Sequence, residues 1–270
     1  MVATDEMFTG SIPEVYGRFL VPLIFEFYAS DLAGRIAKSN PENVLEIAAG
    51  TGALTRAMAL ALPAGARIVA TDLNQPMLDQ AAATRAHDSR IEWRQADALA
   101  LPFANQTFDA VACQFGVMFF ADKIRGFTEA ARVLKPGAGY YFNVWDQISK
   151  NEFADVVNDA VARLFPDNPS GFMARTPHGY WDTDKIRSEL TAAGFMSISF
   201  ETVQAISVAA SARDAAIAFC QGTPLRNEIE ARDRSRLEDA TQAATEALQR
   251  RFGKGSIEGQ MTAHVFTATR

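Results

Sequence analysis

The stretch Val44-Leu45-Glu46-Ile47-Ala48-Ala49-Gly50-Thr51-Gly52-Ala53-Leu54-Thr55 runs an apolar strand bearing an acid straight into a tight Gly-x-Gly turn. Few folds accept that order. Gly50 and Gly52 lack a Cβ, so the backbone can take positive φ and let a ligand lie against its N–H groups, while Thr55 to Leu62 has the composition of a following helix. A second apolar run, Arg67 to Thr71, ends in Asp72. That acid falls about 20 positions after Gly52, where a ribose-binding carboxylate belongs in a doubly wound sheet.

A dinucleotide-binding turn would carry a third Gly three residues after the second, to let helix and strand pack closely, but position 55 is Thr. Such a turn also has no use for Glu46, four residues before Gly50. Both departures favour a pocket for a cationic ligand with a single nucleoside.

At these residues the chain resembles the class I S-adenosylmethionine-dependent methyltransferases, and within them the type 11 group that looks like the ubiquinone/menaquinone-biosynthesis enzymes. The first motif of that family runs acidic-x-Gly-x-Gly-x-Gly, and here Ala48 stands for its first Gly. The resemblance extends over roughly positions 40 to 145. Gln95-Ala96-Asp97-Ala98 precedes Leu101-Pro102-Phe103, and Thr107 to Phe115 reads as a buried strand. Arg132-Val133-Leu134-Lys135-Pro136-Gly137-Ala138-Gly139 matches the family's helix-end signature: a helix stopping before Pro136, a Gly turn, then the apolar strand Tyr140 to Trp145. The resemblance implies a Rossmann-like α/β fold, doubly wound, with a seven-stranded, mostly parallel sheet whose last strand is antiparallel. It also implies S-adenosylmethionine as cofactor.

Reading along the chain, strands are expected near 43–48, 67–72, 91–95, 107–114 and 138–145, with helices between them. A helix over 13–38 precedes the first strand, with Pro13 in its first turn. Further helices are expected over 152–165 and 183–193, the second stopped by Gly194, with strands over 195–203 and 262–269. Residues 211–252 read as a helical insertion broken into two helices by Gly222-Thr223-Pro224. The whole, 1–270, is expected to be one methyltransferase domain. Its segments 13–38 and 211–252 then form a cap over the carboxyl edge of the sheet, because that is where substrate specificity resides in the family.

The chain has 270 residues, 26 Lys and Arg against 32 Asp and Glu, and a net charge of −6. No basic stripe tracks phosphates, which disfavours a nucleic-acid substrate. The apolar stretch Phe19 to Phe27 is interrupted by Pro22 and Glu26 and is far short of the roughly 20 residues that cross a bilayer. Cys113 and Cys220 lack a paired motif and read as free thiols in a reducing cytoplasm, with no metal site. A homodimer is compatible with the composition.

Residue roles follow from the resemblance. Asp72 would accept hydrogen bonds from the ribose hydroxyls, or alternatively cap a helix. Leu73 and the backbone beside it would flank the adenine, and Met77 would pack on that ring or in the core. Asp97 would accept the adenine amino group beside the backbone N–H of Ala98, or be a solvated loop acid. Glu46 would hold the methionine ammonium or fix the glycine loop formed by Ala48, Gly50 and Gly52. Gln114 and Phe115 would lie where the methyl group meets its acceptor, or be an ordinary buried strand end.

On the acceptor side, Tyr16, Phe19 and Leu20 recur at helical spacing, and Phe25, Phe27 and Tyr28 follow, a stripe more often core than substrate site. With Phe119, Phe120 and Trp145 they suit a small, apolar or aromatic acceptor. Transfer from a sulfonium is an in-line displacement needing alignment and exclusion of water, with a base only when the nucleophile must lose a proton early. Of the histidines, His87 reads as a surface residue, His264 falls in the last strand, and His178 is the weak catalytic candidate, with a structural role in its loop favoured. Two other classes compete: a non-catalytic module that binds S-adenosylmethionine or S-adenosylhomocysteine, and a nicotinamide-dependent oxidoreductase. Thr55 and the lack of a Tyr-x-x-x-Lys pair weigh against the latter.

Overall fold

A computed structural model describes residues 3–84 and 88–270, so His87 lies outside the described residues. Helix formation begins with α1 (Ile12–Val15), which has Pro13 in its first turn. Tyr16–Phe25 then winds as a π-helix rather than continuing as the α-helix expected over 13–38. Pro22 supplies the reason. In an α-helix its ring would meet the carbonyl of Arg18, and it has no N–H to donate; opening the turn to i→i+5 relieves that clash.

The chain returns to α geometry in α2 (Glu26–Ala37), which buries Tyr28, Ala29, Leu32, Ala33 and Ile36 along one stripe. All of these but Tyr28 cluster with Val44, Leu54, Met58 and Ala112. The second half of the expected cap helix is therefore part of the core, a role its apolar stripe serves as well as it would serve a cap.

Strand and helix then alternate as expected: β1 (Asn43–Ile47), α3 (Ala53–Ala61), β2 (Arg67–Asp72), α4 (Gln75–Thr84), β3 (Ile91–Gln95), β4 (Phe108–Gln114), α5 (Lys123–Val133) and β5 (Leu134–Trp145). β5 starts earlier than the expected 138. Phe108 pairs with Leu134 but Ala110 with Gly139, and Pro136 and left-handed Gly137 occupy the irregularity between them.

Beyond β5 come α6 (Glu152–Leu164), α7 (Phe172–Arg175), α8 (Thr183–Ala192), β6 (Ser197–Ala209), α9 (Ala212–Gln221), α10 (Leu225–Asp233), α11 (Leu237–Phe252) and β7 (Ile257–Thr269). The insertion before the last strand holds three α-helices, not two. Its second break, at Asp233–Arg236, has neither Gly nor Pro; Asp233 instead accepts the Ser235 N–H at 2.9 Å and starts a 3-10 turn. β6 and β7 outrun their expected limits because they pair with each other along their length. Met196 N–H donates to the Thr269 carbonyl at one end, and Ser256 Oγ donates to the Ala209 carbonyl at the other.

The sheet order is β3-β2-β1-β4-β5-β7-β6. The pairs from β3 through β5 are parallel. β7 is antiparallel to β5, as shown by the bonds from Gly137 N–H to the Arg270 carbonyl and from Asp146 N–H to the Thr262 carbonyl. The order reverses between β1 and β4, so the crevice at their carboxyl ends is the topological switch point where open α/β sheets bind ligands.

The described residues group into two compact units whose boundaries fall between the π-helix and α2, in the loop before α8, and within or at the ends of β5, β6 and β7. One unit comprises Glu26–Val144, Trp181–Val203 and Ala263–Arg270. Its core includes Phe142 stacked on Phe266 with centroids 4.9 Å apart. The other comprises the chain through Phe25, with Trp145–Tyr180 and Gln204–Thr262, and is mostly helical. In that unit the fully buried Asp5 accepts hydrogen bonds from Arg175 and from Thr176 Oγ1, which ties the first turn to α7. Among the described residues no helix is long and apolar enough to cross a membrane, and no group of His, Cys, Asp or Glu could hold a metal ion. Cys113 and Cys220 are free, and burial pushes each thiol up to about 12.

Candidate cofactor site at the switch point

The glycine turn compresses three left-handed residues into five positions: Ala48 at φ 56°, Gly50 at φ 56° and Gly52 at φ 80°. Gly52 is doubly required, since a Cβ there would lie 2.8 Å from Cη2 of Trp93. Ala48 is the strained member, holding a conformation that costs an L-residue about 1–2 kcal/mol. The Ala49 N–H donates to the Thr71 carbonyl at 2.8 Å, which extends the β1–β2 ladder into the turn.

Two acids brace this turn. Asp72, 8% exposed at the end of β2, accepts the Gly50 N–H on Oδ2 and the Asn74 N–H on Oδ1, both at 2.8 Å. It thus holds the glycine turn and the entry to α4 with one carboxylate. Burial raises its pKa.

Glu46 is buried at the end of β1, where its Oε2 accepts the Thr55 hydroxyl at 2.5 Å. Thr55, set aside in the sequence as the missing third glycine, is therefore the group that docks α3 onto the acid. Burial pushes Glu46 up to about 8. Its ordinary value is 4.5, so between these values the folded chain keeps a proton that the unfolded chain has released. The stability contributed by this group is complete below about 4.5 and is lost as pH rises through about 8. Glu46→Gln removes the titration, so its melting temperature should gain on the parent's as pH rises from 5 to 8.5 in paired thermal melts; parallel curves would contradict the assignment.

The remaining candidate cofactor residues follow. The Ala96 N–H donates to the Asp72 carbonyl at 3.0 Å, which holds the loop after β3 beside Asp72. Asp97 is exposed, with Oδ1 accepting the Leu99 N–H at 2.8 Å, and Ala98 is half-buried next to it. Leu73 is exposed, whereas Met77 is 3% exposed, so of its two readings the core position is the one observed. Gln114 ends β4 half-buried, and Phe115 follows at φ 50° with its N–H donated to Asn143 Oδ1 at 2.9 Å.

A nucleoside cofactor fits these residues: a left-handed glycine turn, a buried acid at the end of β2, and the buried Thr51 Oγ1, which has no partner among the described residues. Thr51 and Asn143 were missed in the sequence. The orphan hydroxyl has no sequence signal, and Asn143 lies 28 positions from its partner Phe115.

These residues, with Phe119 on the 3-10 turn after β4, belong to one unit. Tyr16, Phe19, Leu20, Trp145 and His178 belong to the other. There Tyr16 stacks on Phe25 at 5.2 Å, Phe25 meets Trp145 at 6.1 Å, and Trp145 meets His178 at 6.0 Å. The π-helix makes the first contact possible. Nine α-helical steps of 100° put two residues on opposite faces, whereas roughly 4.4 residues per turn in a π-helix bring them back to one face.

His178 Nδ1 lies 2.9 Å from the Asp146 carbonyl, and burial lowers its pKa to about 4. The cavity it lines, with Trp145, Phe153 and Met261, is about 20 Å³, room for one water. A ring so weakly basic and so enclosed suits anchoring the loop before α8 better than proton abstraction at neutral pH. His264 Nδ1 pairs with Thr202 Oγ1 at 3.0 Å, within the sheet-bearing unit.

A family described as methyltransferase domain matches residues 44–137, the segment from β1 to the start of β5. The demethylmenaquinone methyltransferase of Clavibacter sepedonicus is 31% identical over 173 residues, 61% of this chain and 69% of that protein. The enzyme of the same name from Thermus thermophilus is 42% identical over 129 residues, 47% of this chain and 57% of that protein. Among solved structures, phosphoethanolamine N-methyltransferase 2 of Haemonchus contortus, in complex with S-adenosyl-L-methionine, shares the fold. Its TM-score is 0.62 at 15% identity, over 100% of this chain and 60% of that one. The chain belongs to the class I S-adenosylmethionine-dependent methyltransferases, in the group of the ubiquinone/menaquinone-biosynthesis enzymes.

Proposed function

We propose that this methyltransferase acts on a small, largely apolar or aromatic acceptor by in-line displacement. The observation that carries the reading is the aromatic file Tyr16–Phe25–Trp145, in which the π-helix brings Tyr16 and Phe25 to one face. Half-buried Tyr16 and Phe19 offer aromatic surface to a flat ring. The names of the relatives support a ring of this kind, since those enzymes act on demethylmenaquinone.

S-adenosylmethionine, when bound, supplies an electrophilic methyl group on a sulfonium. The chain's own residues orient it. Asp72 would take the ribose hydroxyls, Asp97 and Ala98 the adenine edge beside Leu73, the turn of Ala48, Gly50 and Gly52 would hold the rest of the cofactor, and Gln114 and Phe115 would wall its far end. Glu46, protonated and bonded to Thr55, holds the turn in shape.

Incubation with radiolabelled S-adenosylmethionine and a panel of naphthoquinols, phenols and polar amines tests the acceptor class. The expected result is labelling of an apolar ring, with Tyr16→Ala or Phe19→Ala cutting transfer far more than S-adenosylhomocysteine affinity. Labelling confined to polar amines would contradict it.

A further inference from the structure

Asn143, third from the end of β5, is fully buried, and its side-chain amide is half-satisfied: Oδ1 accepts the Phe115 N–H at 2.9 Å, while Nδ2 has no partner among the described residues. The orientation is dictated, because exchanging the two atoms would set a donor against a donor. A buried orphan amide is costly, about 1–3 kcal/mol, so an apolar residue would serve packing better. The side chain is kept for its acceptor oxygen.

What that oxygen holds is strained. Phe115 is a bulky residue at φ 50°, the conformation a glycine usually takes. Its ring meets Tyr28 edge-on at 5.4 Å, and Tyr28 is itself pinned through its hydroxyl to the Val203 carbonyl at 3.0 Å. Next in sequence, Gly116 is pressed so closely on Ala48 that a Cβ would lie 2.4 Å from the Ala48 methyl. The two left-handed non-glycine residues at the switch point thus abut through Gly116, and Asn143 is the polar side chain that locks the β4 half. Strain of this kind persists only where the surroundings over-determine it, and it concentrates at ligand clamps.

The strand order says which part of a ligand that lock faces. Asp72 ends β2, and β4 lies two strands away across β1, about 10 Å at the usual spacing. With the ribose at Asp72 and the adenine toward β3, the amino-acid arm of the cofactor is the part long enough to reach the exit of β4.

We infer that Asn143 is a positioning residue for methyl transfer: by holding the Phe115 N–H it sets the β4 exit that receives the amino-acid arm of the cofactor, and it has no part in binding the adenosine. The inference rests on assigning the cofactor to this edge, and the test separates the two. Calorimetric titration of the full chain with S-adenosylhomocysteine and with adenosine, which lacks the arm, reads the discrimination directly.

Asn143→Ala should weaken S-adenosylhomocysteine about tenfold or more, the scale of one lost positioning contact, and leave adenosine within about twofold. Asn143→Asp keeps an acceptor oxygen for the Phe115 N–H and should restore S-adenosylhomocysteine to within about threefold of the parent; it also carries the comparison if the Ala variant does not fold. Equal weakening of both ligands, no weakening of either, or a folded Asn143→Asp that discriminates against S-adenosylhomocysteine as the Ala variant does would overturn the inference. A parent chain that binds neither ligand would overturn the cofactor assignment as well.

Discussion

Asp72→Ala is expected to weaken S-adenosylhomocysteine binding by about 1.5–3 kcal/mol, roughly ten- to 150-fold, with the fold retained. Two losses act together. The ribose hydroxyls lose a charged acceptor, and the Gly50 and Asn74 N–H groups, each 2.8 Å from the carboxylate, lose the side chain that fixes the turn. Asp72→Asn separates them, since only one of its two atoms can accept; it should retain one backbone tie and fall between the parent and Asp72→Ala. Affinity unchanged in Asp72→Ala, measured by calorimetry, would remove the residue from the site.

Gly116→Ala is expected to cost about 1–3 kcal/mol or more in stability, as overpacking of a close-packed interior does. The new Cβ would stand 2.4 Å from the Ala48 methyl and 2.6 Å from Cys113 Sγ, and neither neighbour is the far end of a flexible side chain. Part of the loss should be recovered in the double variant with Ala48→Gly, which removes the nearer atom and also relieves the left-handed strain at φ 56°. Denaturant unfolding of the four chains gives the coupling. Strict additivity would mean that Ala48 and Gly116 do not meet as described.

The cofactor edge was legible because its chemistry is local. Gly50 and Gly52 announce a turn by lacking a Cβ, and Asp72 announces itself by closing an apolar run at the expected spacing. Thr55 was legible only as a departure from a dinucleotide turn, although a hydroxyl one helical turn past Gly52 is well placed to meet an acid at the end of the preceding strand. Asn143 gave no signal, because its contact with Phe115 exists only through the pairing of β4 with β5.

The N-terminal segment misled for a different reason. An apolar stripe at helical spacing shows that a face is buried but not what buries it, and Ala29, Leu32, Ala33 and Ile36 cover the sheet alongside α3. The π-helix escaped because Pro22 reads as an interruption in a helix, whereas the chain answers it by widening the turn.

The central claim is that the crevice between β1 and β4 binds a cationic single-nucleoside cofactor and not a dinucleotide. Calorimetric titration of the full chain with S-adenosylhomocysteine and, separately, with NAD tests it most directly. Saturable binding of S-adenosylhomocysteine, lost or weakened at least tenfold in Asp72→Ala, together with no heat from NAD, is the predicted result. Binding of NAD with no response to S-adenosylhomocysteine would contradict it.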